Sequence, residues 1–160
     1  MSEPIRRIRT PMHLEYNIQA GTDQSSFLKA LTEKRIVGRR SPTGKVYVPP
    51  VGACPVTGLA MQEEVELSHV GTVVNFCIIN IPFEGQRLPP PYATGTILLD
   101  GSDLPLFHII GGDVEKVRMG MRVKAVWVPD EELAPTLESI LRFDPTGEPD
   151  APYDTYKEHL

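Results

Sequence analysis

Thr72-Val73-Val74-Asn75-Phe76-Cys77-Ile78-Ile79-Asn80-Ile81 is a ten-residue run rich in β-branched, aromatic and apolar residues, halted by Pro82, and it reads as a long strand. Glu63–Val70 precedes it across Gly71, and segments of similar composition follow at Thr94–Leu99, Leu106–Ile110, Met121–Val128 and Leu137–Phe143. Counting Glu63–Ile81 as one strand bent at Gly71 gives about five strands. Before the fourth, Asp113 is suited to cap a helical turn and Gly120 to end it. A long bent first strand, five strands in all and one short helix before the fourth predict a mainly β chain with an OB-type barrel over residues 63–143.

Composition sets the frame around that barrel. The chain has 160 residues, 41% hydrophobic and 23% charged, as expected for one globular domain, or one domain with a small appendage. No apolar run reaches the roughly 20 residues that span a bilayer, and Met1–Thr10 is charged, so a cytoplasmic protein is expected. The two cysteines, Cys54 and Cys77, lie in a Pro-rich loop and in an apolar strand, and a structural disulfide is not expected in a reducing compartment. Pro129–Leu160 holds nine acidic residues against Arg142 and Lys157, so residues 1–128 carry only +2 of the net −5. An OB barrel can bind nucleic acid, but this balance argues against a polyanion partner.

Outside the barrel the chain divides into three parts. Residues 1–21 read as an extended arm carrying Arg6, Arg7 and Arg9, then Met12, Leu14, Tyr16 and Ile18. Residues 22–62 begin with a helix to about Arg35, capped by Asp23 or Ser25, with Phe27, Leu28, Ala30 and Leu31 on one face. Two similar turns then follow, Arg40-Ser41-Pro42-Thr43-Gly44 and Cys54-Pro55-Val56-Thr57-Gly58, joined by a short strand. Residues 144–160 form an acidic tail whose Pro145, Pro149 and Pro152 exclude helix and ladder strand. Within it, Tyr153 and Tyr156 are candidate anchors for a partner.

This order of features resembles one family: a Phe-led helix, Pro-Pro before Cys-Pro-x-x-Gly, a five-stranded barrel with a Pro-Pro-Tyr connection, and Arg118-Met119-Gly120-Met121-Arg122-Val123. It is similar to the thiolase-associated OB-fold proteins that carry an N-terminal rubredoxin-like zinc ribbon, over about Phe27–Phe143. The resemblance implies a non-catalytic companion subunit of a thiolase- or aldolase-like enzyme acting on acyl-CoA thioesters, in some relatives during steroid side-chain breakdown. In that family the ribbon carries two Cys-x-x-Cys-Gly knuckles. Here Arg40 and Thr43 occupy the first pair of positions, and only Cys54, with Thr57, the second. One thiolate does not hold a tetrahedral zinc ion, so a ribbon without metal is expected, packed through Val46, Tyr47, Val48 and Val51 on the helix. Gly44 and Gly58 should still take left-handed conformations.

Candidate chemistry is sparse. Cys54 lacks a visible base and reads as a relic of the ribbon, and Cys77 reads as core. His69 and His108 read as barrel histidines, with His108 able to reach a cleft. Asp100 and Asp103 flank Gly101-Ser102 as a hairpin turn, and Gly111-Gly112-Asp113 lacks phosphate-loop spacing. The connection Pro82–Tyr92 contains Pro89-Pro90-Pro91, which should stiffen it into polyproline geometry. On the resemblance, Phe83, Arg87, Tyr92 and His108 are expected to meet a shared coenzyme A thioester. Tyr16, Leu88, Pro90, Pro91, Tyr153 and Tyr156 are expected to meet the partner subunit.

Overall fold

The computed structural model describes residues 13–15, 17 and 19–160. The expected Tyr16 contact, and most of the arm, lie outside the described residues. Helix α1 spans Thr22–Leu31 and buries Phe27, Ala30 and Leu31, the face the spacing gave. It ends four residues earlier than expected, because Lys34 turns to φ 55° and the amides of Thr32 to Arg35 fold back on the last carbonyls. No side chain caps its start; Asp23 instead pairs with the guanidinium of Arg39 at 3.1 Å.

Two sheets follow. The first is small, with β1 (Val37–Arg40) between β2 (Val46–Tyr47) and β3 (Glu64–Glu66), antiparallel on both sides. The second is a closed barrel of β4 (Val70–Ile79), β5 (Tyr92–Leu99), β6 (Leu106–Ile110), β7 (Arg122–Trp127) and β8 (Ile140–Pro145), in the order β4-β5-β6-β8-β7. The five-stranded barrel expected from the sequence is therefore present, with one correction. Glu64–Glu66 pairs with β1 in the small sheet, so the barrel's first strand begins at Val70.

The barrel interior is filled by alternate residues. Ala93, Ile97 and Leu99 of β5, Leu106 and Ile110 of β6, and Val123 and Ala125 of β7 are all buried, as period-two side-chain alternation requires; on β8 the buried pair is Ile140 and Phe143, three apart, because the register shifts between Val126 and Trp127. Gly95 sits in the same inward row, where an added Cβ would lie 2.2 Å from the Asn75 carbonyl. Only glycine allows β4 and β5 to approach this closely. A bulge between Val73 and Asn75 bends β4, which helps close a small barrel. The same core runs without a break into Phe27, Leu31, Ile36, Val46 and Val48 under the small sheet.

Three further expectations change. Cys77 is exposed, not core, because it pairs with Thr94 in the outward row. Leu137–Ser139 forms a 3₁₀ turn, and the last strand starts at Ile140 and runs through Pro145, which pairs with Val123 at the end of the ladder. The tail does form helical turns, at Tyr153–Thr155 and Lys157–His159, the first beginning just after Pro152. It lies on its own barrel: the Ala151 amide donates to the Gly120 carbonyl at 2.8 Å, and Arg118 grips Asp150 with two 2.6 Å bonds. Tyr156 is 6% exposed and Tyr153 57%, so of the two expected partner anchors only Tyr153 is available on the surface.

Candidate functional site

The outer surface of the barrel is divided by charge. Antiparallel partners share a face, so the outward residues of β4, β5 and β6 can be read from the register. They are Asn75, Cys77 and Ile79; Tyr92, Thr94 and Thr96; and Phe107 and Ile109. None is charged. On the opposite wall the outward residues include Arg122 and Lys124 of β7 and Arg142 and Asp144 of β8, with Lys124 directly opposite Asp144. Solvated sheet faces normally carry such charges. Among the described residues, Phe107 is left 63% exposed on the uncharged wall, and the Thr96 hydroxyl beside it is closed off without a hydrogen-bond partner.

At the edge of this wall the barrel has a seam. Strands β6 and β8 run parallel and pair only at Ile110 and Phe143, so below that point they part. The opening is a cavity of about 370 Å³, lined by Phe107, His108 and Ile109 on one side, Leu137, Glu138, Ile140 and Leu141 on the other, and Arg87 and Leu88 across the mouth. Leu88, Phe107 and Leu141 are exposed there. The seam thus brings together Arg87, Leu88 and His108, three residues singled out in the sequence.

His108 faces inward opposite Gly95 and sits edge-on to the Phe143 ring at 5.5 Å. Nε2 lies 3.4 Å from the Leu137 carbonyl, and Nδ1 is buried without a partner. Burial holds its pKa below the ordinary histidine value, against the pull of the Leu137 and Ile109 backbone. Burial favours its neutral form, and the two charged residues of the seam, Arg87 and Glu138, are paired with each other. His69 is likewise depressed by burial and by Lys124, and it packs on Trp127 at 5.3 Å.

The loop between β4 and β5 places the other expected residues apart from the seam. The Gln86 side chain organises it: its carbonyl accepts from the Phe83 amide at 3.2 Å and its amide donates to the Tyr92 hydroxyl at 3.1 Å. Phe83 is 63% exposed. The backbone bends at Arg87–Leu88 and again at Pro90–Pro91, where the peptide bond is cis, so the run is not the continuous polyproline helix expected. Arg87 reaches across to the Glu138 carboxylate and both are well exposed; its guanidinium is therefore already paired.

A second cluster lies in the small lobe. Ser41, fully buried, stands 3.1 Å from the Cys54 sulfur. The Thr43 hydroxyl and amide both reach Ser41 Oγ, at 2.7 and 3.0 Å. Hydrogen bonds from Ser41 and then Thr57 stabilise the Cys54 thiolate and lower its pKa to about 7, against burial, which raises it. Gly44 and Gly58 have φ of 86° and 70°, and the turns close by Gly44 N–H to Ser41 O and Gly58 N–H to Cys54 O, each 2.8 Å. The first turn is thus one residue shorter than the second, and Ser41, not Arg40, stands opposite Cys54. Arg40 points out to Glu63. Val46 and Val48 are buried as expected, but Val51 is exposed. Three hydroxyls and one thiol are not a zinc donor set, and no group of three or more His, Cys, Asp or Glu converges among the described residues.

A larger depression of about 740 Å³ beneath the tail carries less chemistry. Its guanidinium, Arg122, is already held by both oxygens of Asp100 and by Thr72. Asp103, the other acid of that turn, accepts from the Val46 amide at 2.8 Å and ties the barrel to the small sheet.

Comparison with known proteins agrees with this architecture. Residues 64–128 match the family described as ChsH2, C-terminal OB-fold domain. Over that stretch the barrel is similar to this OB-fold family. A DUF35 domain-containing scaffold protein of Pyrococcus furiosus is 26% identical over 103 residues, 64% of this chain and 76% of the relative. Among solved structures, an Ltp2-ChsH2(DUF35) aldolase chain superposes with a TM-score of 0.61 at 22% identity, covering 81% of this chain and 98% of its own. A DUF35-family protein of unknown function from Sulfolobus solfataricus gives 0.60 at 21% identity, covering 78% and 86%. At these identities the two structures share the fold of the ChsH2-type barrel. No helix among the described residues is long and apolar enough to cross a membrane.

The uncharged wall and Ser41 escaped the sequence reading. The wall needs the strand register, which composition does not supply. Ser41 carried a signal, the shared Ser-Pro and Cys-Pro starts of the two turns, which aligning them at equal length concealed.

Proposed function

We propose that the chain is a non-catalytic companion subunit of a thiolase- or aldolase-like enzyme that acts on acyl-CoA thioesters, serving lipid or steroid side-chain degradation. The observation that carries this reading is the uncharged outer wall of β4, β5 and β6, continuous with the apolar seam at Leu88, Phe107 and Leu141. A sheet face without charges, with an exposed phenylalanine where it meets the seam, has the composition of an interface core, where charged residues are depleted and aromatics enriched. The relatives named as scaffold and as aldolase complex support the same direction.

The coenzyme A thioester enters on the loop side of the wall in this reading. Arg87 exchanges Glu138 for a phosphate, Phe83 and Tyr92 offer aromatic surface to the base, and His108 lines the apolar seam. Leu88, Pro90, Pro91 and Tyr153 add contacts to the partner. The test is co-expression with a thiolase-like enzyme: the two should co-purify, and acyl-CoA turnover should require both. Turnover by this chain alone, or separation of the two on gel filtration at micromolar concentration, would overturn the proposal.

A further inference from the structure

The family's ribbon implies zinc, and the residues here do not fit it. We propose that Ser41, Thr43, Cys54 and Thr57 form a hydrogen-bonded clasp that joins the two turns of the small lobe in the place a metal would hold them. The chain's own groups allow a directional series: the Thr43 amide donates to Ser41 Oγ, and with the Thr43 hydroxyl donating there as well the Ser41 hydroxyl is free to donate to the Cys54 sulfur. Within the second turn itself, Thr57 and the backbone at Val56 favour the charged form of the sulfur.

Burial and coverage make this more than a surface contact. Ser41 is 0% and Cys54 1% exposed, and a buried polar group left without its partner is costly, whereas the satisfied pair is close to neutral. Residues 51–60 around the sulfur are exposed apart from Cys54 itself. Apolar burial therefore does little to hold the second turn, and the Ala53–Ala60 bridge with the Cys54 N–H to Leu59 carbonyl bond shapes it only from within. The link across to the first turn runs through the sulfur. A tetrahedral metal would make the same link between two turns, using four thiolates or imidazoles.

The experiment uses the full chain, with elemental analysis and thermal melts. Wild-type protein grown with added zinc should hold well under one zinc per chain, and its Tm should not move with chelator. Cys54→Ser, which keeps a donor and acceptor, should melt close to wild type, while Cys54→Val, similar in volume but apolar, should melt about 3–10 °C lower. The triple variant Ser41→Cys/Thr43→Cys/Thr57→Cys should bind about one zinc and become chelator-sensitive. Stoichiometric zinc in wild type would overturn the proposal. So would equal melting of the Val and Ser variants, which would leave Cys54 a packing residue. A folded triple variant that ignores zinc would show that the clasp does not occupy the metal's place.

Discussion

Replacing Tyr156 by alanine should destabilise the barrel even though Tyr156 lies in a Pro-rich acidic tail. Its ring is 6% exposed, packs edge-on to Tyr153 at 5.6 Å, and brings its hydroxyl close to Gly120, where an added Cβ would lie 3.2 Å away. An aromatic side chain of this size buries about 150–200 Å², worth about 4–5 kcal/mol at ~25 cal/mol per Å² as an upper bound. Its position at the barrel's edge lets water or neighbours refill part of the gap, so about 2–4 kcal/mol is expected. For a domain of this length, that lowers Tm by roughly 4–16 °C. Tyr153→Ala, at 57% exposure, should cost only the ring pair, about 1 kcal/mol. The assay is a calorimetric melt of both variants together with hydrogen exchange at the Ala151 amide, which is bonded to the Gly120 carbonyl. A Tyr156→Ala protein that melts within a degree of wild type and keeps Ala151 protected would refute the tail's place on the barrel.

Three shorter expectations follow from other contacts. Gly95→Ala puts a Cβ 2.2 Å from the Asn75 carbonyl and 2.9 Å from Ile110, and should cost about 1–3 kcal/mol by overpacking; an unchanged denaturant midpoint would contradict it. His108 is held neutral by burial, its pKa below the unfolded value of about 6.5. Between those two values the unfolded chain binds more protons, so stability is complete above pH 6.5 and falls as pH drops below it. His108→Phe should flatten that fall in chemical denaturation between pH 5 and 7, and an unaltered slope would count against it. Arg87→Ala removes a guanidinium able to bond phosphate oxygens, and should raise the complex's KM for acyl-CoA about tenfold or more with little change in Tm; equal KM values would remove Arg87 from the site.

The barrel was legible because its strands announce themselves. Val73, Val74, Ile78, Ile97 and Ile110 stand in β-branched runs, and Pro82 and Gly101 punctuate them. What stayed hidden depends on pairing rather than composition. Glu64–Glu66 has the same alternation whether it joins the barrel or the small sheet, and only its partner, β1, decides. Cys77 sits among apolar neighbours, yet a strand shows two faces, and the bulge after Val73 sets which one it takes. The prolines of the tail rightly marked its irregularity but said nothing about Tyr156, which packs beside Gly120, 36 residues back along the chain. At the candidate site, Arg87, Leu88 and His108 could be named individually. Their meeting at one seam follows from the parting of β6 and β8, a feature no local pattern encodes.

Binding of a thiolase-like partner by the uncharged wall is tested by placing a charge on it where it meets the seam. Phe107→Glu should fold normally, since the side chain points outward. It should weaken association with the partner at least a hundredfold by calorimetric titration, because desolvating an unpaired carboxylate at an interface core costs several kcal/mol. Lys124→Glu, on the charged wall across the barrel, is the control and should leave affinity within about threefold of wild type. The opposite pattern, tight binding by Phe107→Glu and loss with Lys124→Glu, would place the partner on the other side of the barrel and contradict the account.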